Sequence, residues 1–173
     1  MTQRGQSIVL IGFAGVGKSS TGQALARKTG LSLLDTDEMI STRFELPVPQ
    51  VFVTLGEAAF RDAEAEALLT LLNALPGIVV TGGGIVLRPE NRNVLRQLGK
   101  VICLKADTET LLTRVSKSTP RPMLQTANPR ATLLELLRLR EPLYQELADV
   151  QIDTSALTPD QAADAVLRSI ERL

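Results

Sequence analysis

Ile8-Val9-Leu10-Ile11-Gly12-Phe13-Ala14-Gly15-Val16-Gly17-Lys18-Ser19 is the stretch that decides the fold of this 173-residue chain. Four aliphatic residues read as a buried strand and run straight into a match to G-x-x-x-x-G-K-[ST] over 12–19. A helical pattern opens at once, with apolar residues at three- and four-residue spacing over 18–28. Strand, glycine loop and helix together make the context in which this motif binds phosphate. The glycines let the backbone wrap closely with its amides pointing inward, and the helix N-terminus adds positive potential. Lys18 would reach the β and γ phosphates of ATP, while Ser19 offers a hydroxyl to Mg²⁺, a hard cation that prefers oxygen ligands. The ATP site is expected at Gly12, Ala14, Gly15, Val16, Gly17, Lys18, Ser19 and Ser20. A chance glycine loop is the alternative.

Outward from this segment, apolar runs at 31–34, 78–80, 101–104 and 150–152 read as further buried parallel strands. Helical patterns lie between them at 58–74, 90–98, 107–115 and 132–147. Such alternation predicts an α/β fold, a parallel five-stranded sheet with helices on both faces. The last helix has a strong start signal: Thr158 as N-cap, Pro159 in the first turn and Gln161 completing a capping box. Two stretches break the alternation, 44–52 with Pro47 and Pro49, and 116–130 with Pro120, Pro122 and Pro129. The second, polar and carrying Arg121, suits either a lid that closes over a substrate or an ordinary surface loop.

A chain of this length with 44% hydrophobic residues suffices for one core, so 1–173 is expected to be a single domain. Lys plus Arg and Asp plus Glu both number 19, which gives no global field for nucleic acid or an anionic membrane. The N-terminal apolar run ends in glycines after four residues, too short for a secretory signal or a span, and a cytoplasmic monomer is expected. There is no histidine, which removes Ser-His and Cys-His nucleophiles and histidine-bound metals. Cys103 sits in an apolar run as a structural thiol and excludes an internal disulfide. What remains, carboxylates, Lys, Arg, backbone amides and an oxygen-bound cation, is enough for phosphoryl transfer.

A phosphate loop alone does not choose among ATPase, GTPase and kinase. A guanine-reading loop usually runs Asn-Lys-x-Asp, and the comparable place here holds Leu104-Lys105-Ala106-Asp107, whose leucine lacks the amide. Asp35-Thr36-Asp37 follows the second strand, at the end where a parallel sheet presents its ligand crevice. In an extended segment alternate residues share a side, so Asp35 would face the metal and Asp37 an acceptor hydroxyl. A solvated pair capping the next helix is the other reading.

Further along stand Gly56-Glu57-Ala58-Ala59-Phe60-Arg61, Gly82-Gly83-Gly84, Arg121-Pro122-Met123-Leu124 and Arg140-Glu141-Pro142-Leu143-Tyr144. With the phosphate loop and Asp-x-Asp, in this order, they resemble the shikimate kinase family over nearly the full length, almost without gaps through Arg61. The resemblance implies a P-loop NTPase of nucleoside monophosphate kinase type that transfers the γ-phosphate of ATP to the 3-hydroxyl of shikimate. It implies Arg61 and Arg140 as carboxylate anchors, which suits arginine's bidentate fork. Asp37 would orient the attacking hydroxyl, with proton acceptance as a second role. Gly82, Gly83 and Gly84 would let backbone approach the ring, and Arg121 would neutralise the transferring phosphoryl group. Lys18, Asp37 and Arg121 make the catalytic set, Ser19 and Asp35 the Mg²⁺ ligands, and Arg114 and Pro159 the flanks of the adenine. The acceptor region would span 35–64 and the lid 116–130. Glu64, one helical turn after Arg61, is placed to brace it.

The chain departs from the family where Ile-Glu and a later Gly are usual: here stand Ile40-Ser41 and Glu45, then Pro47 and Pro49. These changes bear on the tightness of the acceptor pocket. Met123 replaces a leucine in the lid at nearly constant volume. Two alternatives stay open: another small-molecule kinase, for gluconate or a nucleotide, and a catalytically silent relative, which would be expected to lack Lys18, Asp37 or Arg121.

Overall fold

In the computed structural model, which describes residues 6–118 and 121–172, the alternation read from the sequence closes into one parallel sheet. Its strands are β1 (Ser7–Ile11), β2 (Leu33–Asp35), β3 (Ile78–Val80), β4 (Gly99–Lys105) and β5 (Val150–Asp153), in the order β2-β3-β1-β4-β5. Every pairing is parallel, and Val9 of β1 stands beside Val79 on one side and Val101 on the other. All five β1 residues are buried. Successive strand residues point to opposite faces, so an unbroken buried run requires cover on both.

That cover comes from α1 (Lys18–Thr29), α4 (Pro89–Leu98), α6 (Pro129–Leu147) and α7 (Pro159–Ile170). Helix α1 packs on α7 and β3, while α4 packs on β1 and β4 with α6 beside it on β4. Gly22 of α1 permits the close approach, since a Cβ there would lie 2.4 Å from Val80 Cγ2. Thr158 and Gln161 form the expected capping box at the start of α7. Among the described residues no helix is long and apolar enough to cross a membrane.

Several helix boundaries differ from the sequence expectation. A separate helix α2 (Thr36–Phe44) follows β2 directly, with Asp35 as its N-cap. The stretch 44–52 is not a loop: α3 (Val48–Leu71) starts inside it, with Pro47 at the N-cap and Pro49 in the first turn. Proline is tolerated there because the first N–H groups of a helix have no intrahelical partner. Gly56, at φ 85°, then breaks α3 into two rods, and the helix ends at Leu71, short of residue 74. Likewise α6 begins at Pro129 under an Asn128 cap, ahead of the expected residue 132.

The ends of α2 and α3 enclose a second apolar cluster of Ile40, Val51, Phe60 and Ala63, apart from the main core. Two of the departures from the family pattern, Ser41 and Glu45, act at the end of α2. Ser41 donates its hydroxyl to Leu46 O at 2.8 Å, and Glu45 takes the left-handed position, φ 54°, that closes the helix. Between α5 (Thr108–Ser116) and α6, the connecting segment carries a 3₁₀ turn at Pro122–Leu124. Thr119 and Pro120 lie outside the described residues.

Candidate active site

The phosphate loop leaves β1 through Gly12, where a Cβ would sit 2.3 Å from Leu104 O, and enters α1 through Gly17 in the left-handed region at φ 93°. Both positions therefore require glycine. Lys18 is buried and folds back over the loop, its Nζ donating to Gly12 O at 2.7 Å and Phe13 O at 2.9 Å. Burial, helped by the nearby Arg121 charge, lowers its pKa to about 8. Ser19 and Ser20 are exposed at the start of α1, and the Ser20 hydroxyl donates to Gly17 O at 3.3 Å.

Lys18, Ser19, Asp35, Asp37, Arg114 and Arg121 line one open cavity, about 800 Å³ with its solvent mouth, together with the loop. Asp35 and Asp37 do reach it together, but by a different geometry from the alternating extended segment. Asp35 is an N-cap, with Oδ1 accepting from Asp37 N at 2.9 Å and Glu38 N at 3.3 Å, and Asp37 stands in the first turn of α2. The capping reading and the ligand reading are compatible for Asp35, because both caps use Oδ1 and leave Oδ2 available. Ser19 and Asp35 thus form a sparse oxygen donor set. A hydroxyl and a carboxylate are the hard oxygen donors that suit Mg²⁺, which keeps waters and phosphate oxygens.

Arg114 ties the loop to the far edge of the sheet, donating to Gly15 O at 3.2 Å and to Thr154 O at 2.9 Å. Thr154, which the sequence reading missed, is buried and donates its own hydroxyl to Val16 O at 2.7 Å. Arg114 and Pro159 meet in a side cavity of about 430 Å³ that shares Gly17 and Ser20 with the phosphate cavity. The Leu104-Lys105-Ala106-Asp107 segment has an ordinary role. Leu104 is buried in β4, and the Asp107 carboxylate caps α5 through Thr110, bonds that hold its pKa below the usual carboxylate range. Cys103 is buried, which pushes its thiol up to about 11 and leaves it protonated.

A further cavity, about 630 Å³ with its mouth, opens on the other side of Asp37. Arg61 enters it from α3, with Nη1 on Glu64 at 2.6 Å and Nη2 on Glu57 at 3.4 Å, so Glu64 braces the arginine as its spacing suggested. Arg140 enters from α6 and is equally buried, its guanidinium 5.7 Å from the Phe13 ring centroid and donating to Met123 Sδ at 3.6 Å. One turn further along α6, Tyr144 donates its hydroxyl to Gly83 O. Val48, Pro49, Phe52 and Phe60 give the cavity an apolar wall, and Pro122, Met123 and Leu124 of the segment between α5 and α6 give another. Sequence reasoning singled out Pro49 for this pocket but missed Val48 and Phe52, because two prolines masked the helix that carries them.

The triple glycine makes room for the protein's own charged side chains. A Cβ on Gly84 would lie 2.3 Å from Arg61 Nη1, and one on Gly82 would lie 2.9 Å from Asp37 Oδ1 and 3.0 Å from Glu64 Oε1. At Gly83 the nearest atom is Ala14 N at 3.4 Å, with Arg140 Nη1 at 3.6 Å. Burial, with the Asp35 charge added at Asp37, raises the pKa of both Asp37 and Glu64. Burial lowers that of Arg140. Asp37 Oδ1, Arg61 Nε and Glu64 Oε1 are buried without a hydrogen-bond partner. Native interiors rarely leave such atoms orphaned, and three in one cavity mark a place built for a polar ligand. Asp37, Arg121, Ala14, Gly82 and Gly83 line this cavity and the phosphate cavity alike.

A family profile for shikimate kinase matches residues 14–171. The shikimate kinase of Thermodesulfovibrio yellowstonii is 40% identical over 168 residues, covering 97% of this chain and 96% of the relative. The structure of a shikimate kinase from Acinetobacter baumannii in complex with shikimate superposes with a TM-score of 0.92 at 34% identity, over 96% of this chain and 93% of that one. A gluconokinase from Sinorhizobium meliloti 1021 shares the fold at a TM-score of 0.64 and 20% identity, over 98% of this chain and 94% of its own.

Proposed function

This chain belongs to the shikimate kinase family, ATP-dependent enzymes that phosphorylate shikimate, and we propose that Lys18, Asp37 and Arg121 carry the transfer at the seam between its two cavities. The observation that carries this assignment is that Asp37 and Arg121 line both cavities, so a phosphoryl group can pass between them without leaving their reach. ATP lies with its phosphates in the loop 12–19, contacting Gly12, Ala14, Gly15, Val16, Gly17, Lys18, Ser19 and Ser20, and its adenine between Arg114 and Pro159. Lys18 gives up its two carbonyl partners to bind the β and γ phosphates. Mg²⁺, held by Ser19 and Asp35, supplies charge neutralisation on the phosphates.

Shikimate takes the second cavity with its carboxylate between Arg61 and Arg140 and its ring against Gly82, Gly83 and Gly84. The orphaned Oδ1 of Asp37 accepts the hydrogen bond of the 3-hydroxyl and aims that oxygen at the γ phosphorus. As the new P–O bond forms and the bond to ADP breaks, the hydroxyl proton passes to Asp37. A loose transition state asks little base strength of it. Arg121 neutralises the equatorial charge, and the lid over 116–130 excludes water.

We also take 1–173 to work as one kinase domain, with the acceptor region over 35–64. It acts as a cytoplasmic monomer on two small molecules, with neither nucleic acid nor membrane as partner. Arg61→Lys and Arg140→Lys test the anchors: each should raise the KM for shikimate by tenfold or more, on the order of one lost charge-assisted bond, and leave that for ATP within about twofold. Equal effects on both substrates would make these arginines structural.

A further inference from the structure

We propose that Met123 is a site of oxidative modification: a hydroperoxide converts its thioether to the sulfoxide, and the new oxygen takes the Arg140 guanidinium from the acceptor's carboxylate. This rests on Arg140 being an acceptor anchor. Met123 is half-buried on the lid, and it lines the acceptor cavity, where small polar molecules enter. Arg140 is 4% exposed, yet it takes part in none of the ion pairs among the described residues. Its guanidinium lies against the Met123 sulfur at 3.6 Å, the Phe13 ring and the Tyr144 hydroxyl. None of these is an anion, and the thioether sulfur is a poor acceptor.

Oxidation changes that balance. The sulfur lone pair attacks one peroxide oxygen, the O–O bond breaks, and the proton of the transferred oxygen moves to the departing one. Sulfur loses two electrons, and the peroxide leaves as water or an alcohol. The Arg140 N–H already points at the sulfur and can hydrogen-bond the oxygen as it gains negative charge. The product carries a strong acceptor within reach of the guanidinium that the carboxylate needs. The leucine usual at this position would fill the same volume and offer no such atom.

Cys103 and Met39 are the competing sulfur sites among the described residues. Cys103 is buried and its thiol is held protonated, which disfavours the reactive thiolate. Met39, on α2, packs against the main core, and Met1 lies outside the described residues.

The test treats the whole chain with hydrogen peroxide, with and without saturating shikimate, and maps added oxygen by peptide mass spectrometry. Oxygen should appear on Met123, more slowly when shikimate is bound. The KM for shikimate should rise about tenfold, the worth of one charge-assisted hydrogen bond, with that for ATP within about twofold. Methionine sulfoxide reductase with a thiol should reverse the rise, and Met123→Leu, compared with its own untreated sample, should resist it. A rise that persists in Met123→Leu, or oxygen on Met39 with Met123 intact, would overturn the proposal. So would full oxidation of Met123 with no change in KM. If Arg140→Lys also left KM unchanged, the anchor assignment would be at fault; if Arg140→Lys raised it, the sulfoxide contact would be.

Discussion

Replacing Gly84 by alanine puts a methyl group where the Arg61 guanidinium now lies. The added Cβ would stand 2.3 Å from Nη1, 2.5 Å from Nη2 and 2.6 Å from Cζ, and ordinary contact begins near 3.4 Å, so the guanidinium must retreat by about 1 Å. A free arginine would swing aside at little cost. This one is 7% exposed and held at 2.6 Å by Glu64, itself fully buried. Retreat strains the buried Glu64 bond and moves the fork off the carboxylate it is proposed to hold, a charge-assisted contact worth roughly 2 kcal/mol. That energy is about thirtyfold in affinity. Steady-state kinetics at saturating Mg-ATP should therefore show the KM for shikimate rising about thirtyfold, while the KM for ATP stays within about twofold. The melting temperature should fall by a few degrees, as expected for about 1 kcal/mol in a domain of this size. A shikimate KM within about twofold of the parent in a folded variant would refute this account of the glycine and of Arg61.

Asp37→Asn should lower kcat by about a hundredfold or more while leaving stability unchanged or raised. The native pKa of Asp37 is raised, so as pH climbs through the carboxylate range the unfolded chain gives up its proton first, and ionised Asp37 weakens the fold at neutral pH. A lower melting temperature in Asp37→Asn would contradict this. ATP should bind best below pH 8 and up to about tenfold more weakly per unit above it, since Lys18 titrates near 8 in the free enzyme and phosphates favour its charged form. Calorimetry at pH above 8 in buffers of different ionisation enthalpy should show proton uptake; none would place the Lys18 charge elsewhere. Glu45→Gly should stabilise the fold by about 0.5–1 kcal/mol, because Glu45 occupies a left-handed position at φ 54°; urea midpoints measure it, and a loss would mean the Glu45 side chain contributes more than its strain costs.

The nucleotide half of the site was the more legible half, because phosphate binding depends on backbone shape and glycine spacing records that shape directly. Gly12 and Gly17 are where the sequence motif demands them, and both have conformations or neighbours that exclude a side chain. The acceptor half depends on side chains from α2, α3, α6 and the lid meeting in space. Periodicity does not record such a meeting, so Arg61 and Arg140 read as ordinary surface residues without the family pattern, although both are buried. Proline misled in one direction: Pro47, Pro49 and Pro129 lie in stretches read as breaks in the alternation, and they stand at the starts of helices. The triple glycine was recognised as space for something, but the occupants are Arg61, Asp37 and Glu64, which no local pattern reveals.

The most direct measurement is release of ADP from Mg-ATP by the purified chain, with shikimate, quinate, gluconate and nucleoside monophosphates offered separately. The cavity that joins two buried arginines to Asp37 predicts strong stimulation by shikimate and none by nucleoside monophosphates, which lack its carboxylate. Absence of stimulation by shikimate, or a larger response to gluconate, would contradict the account.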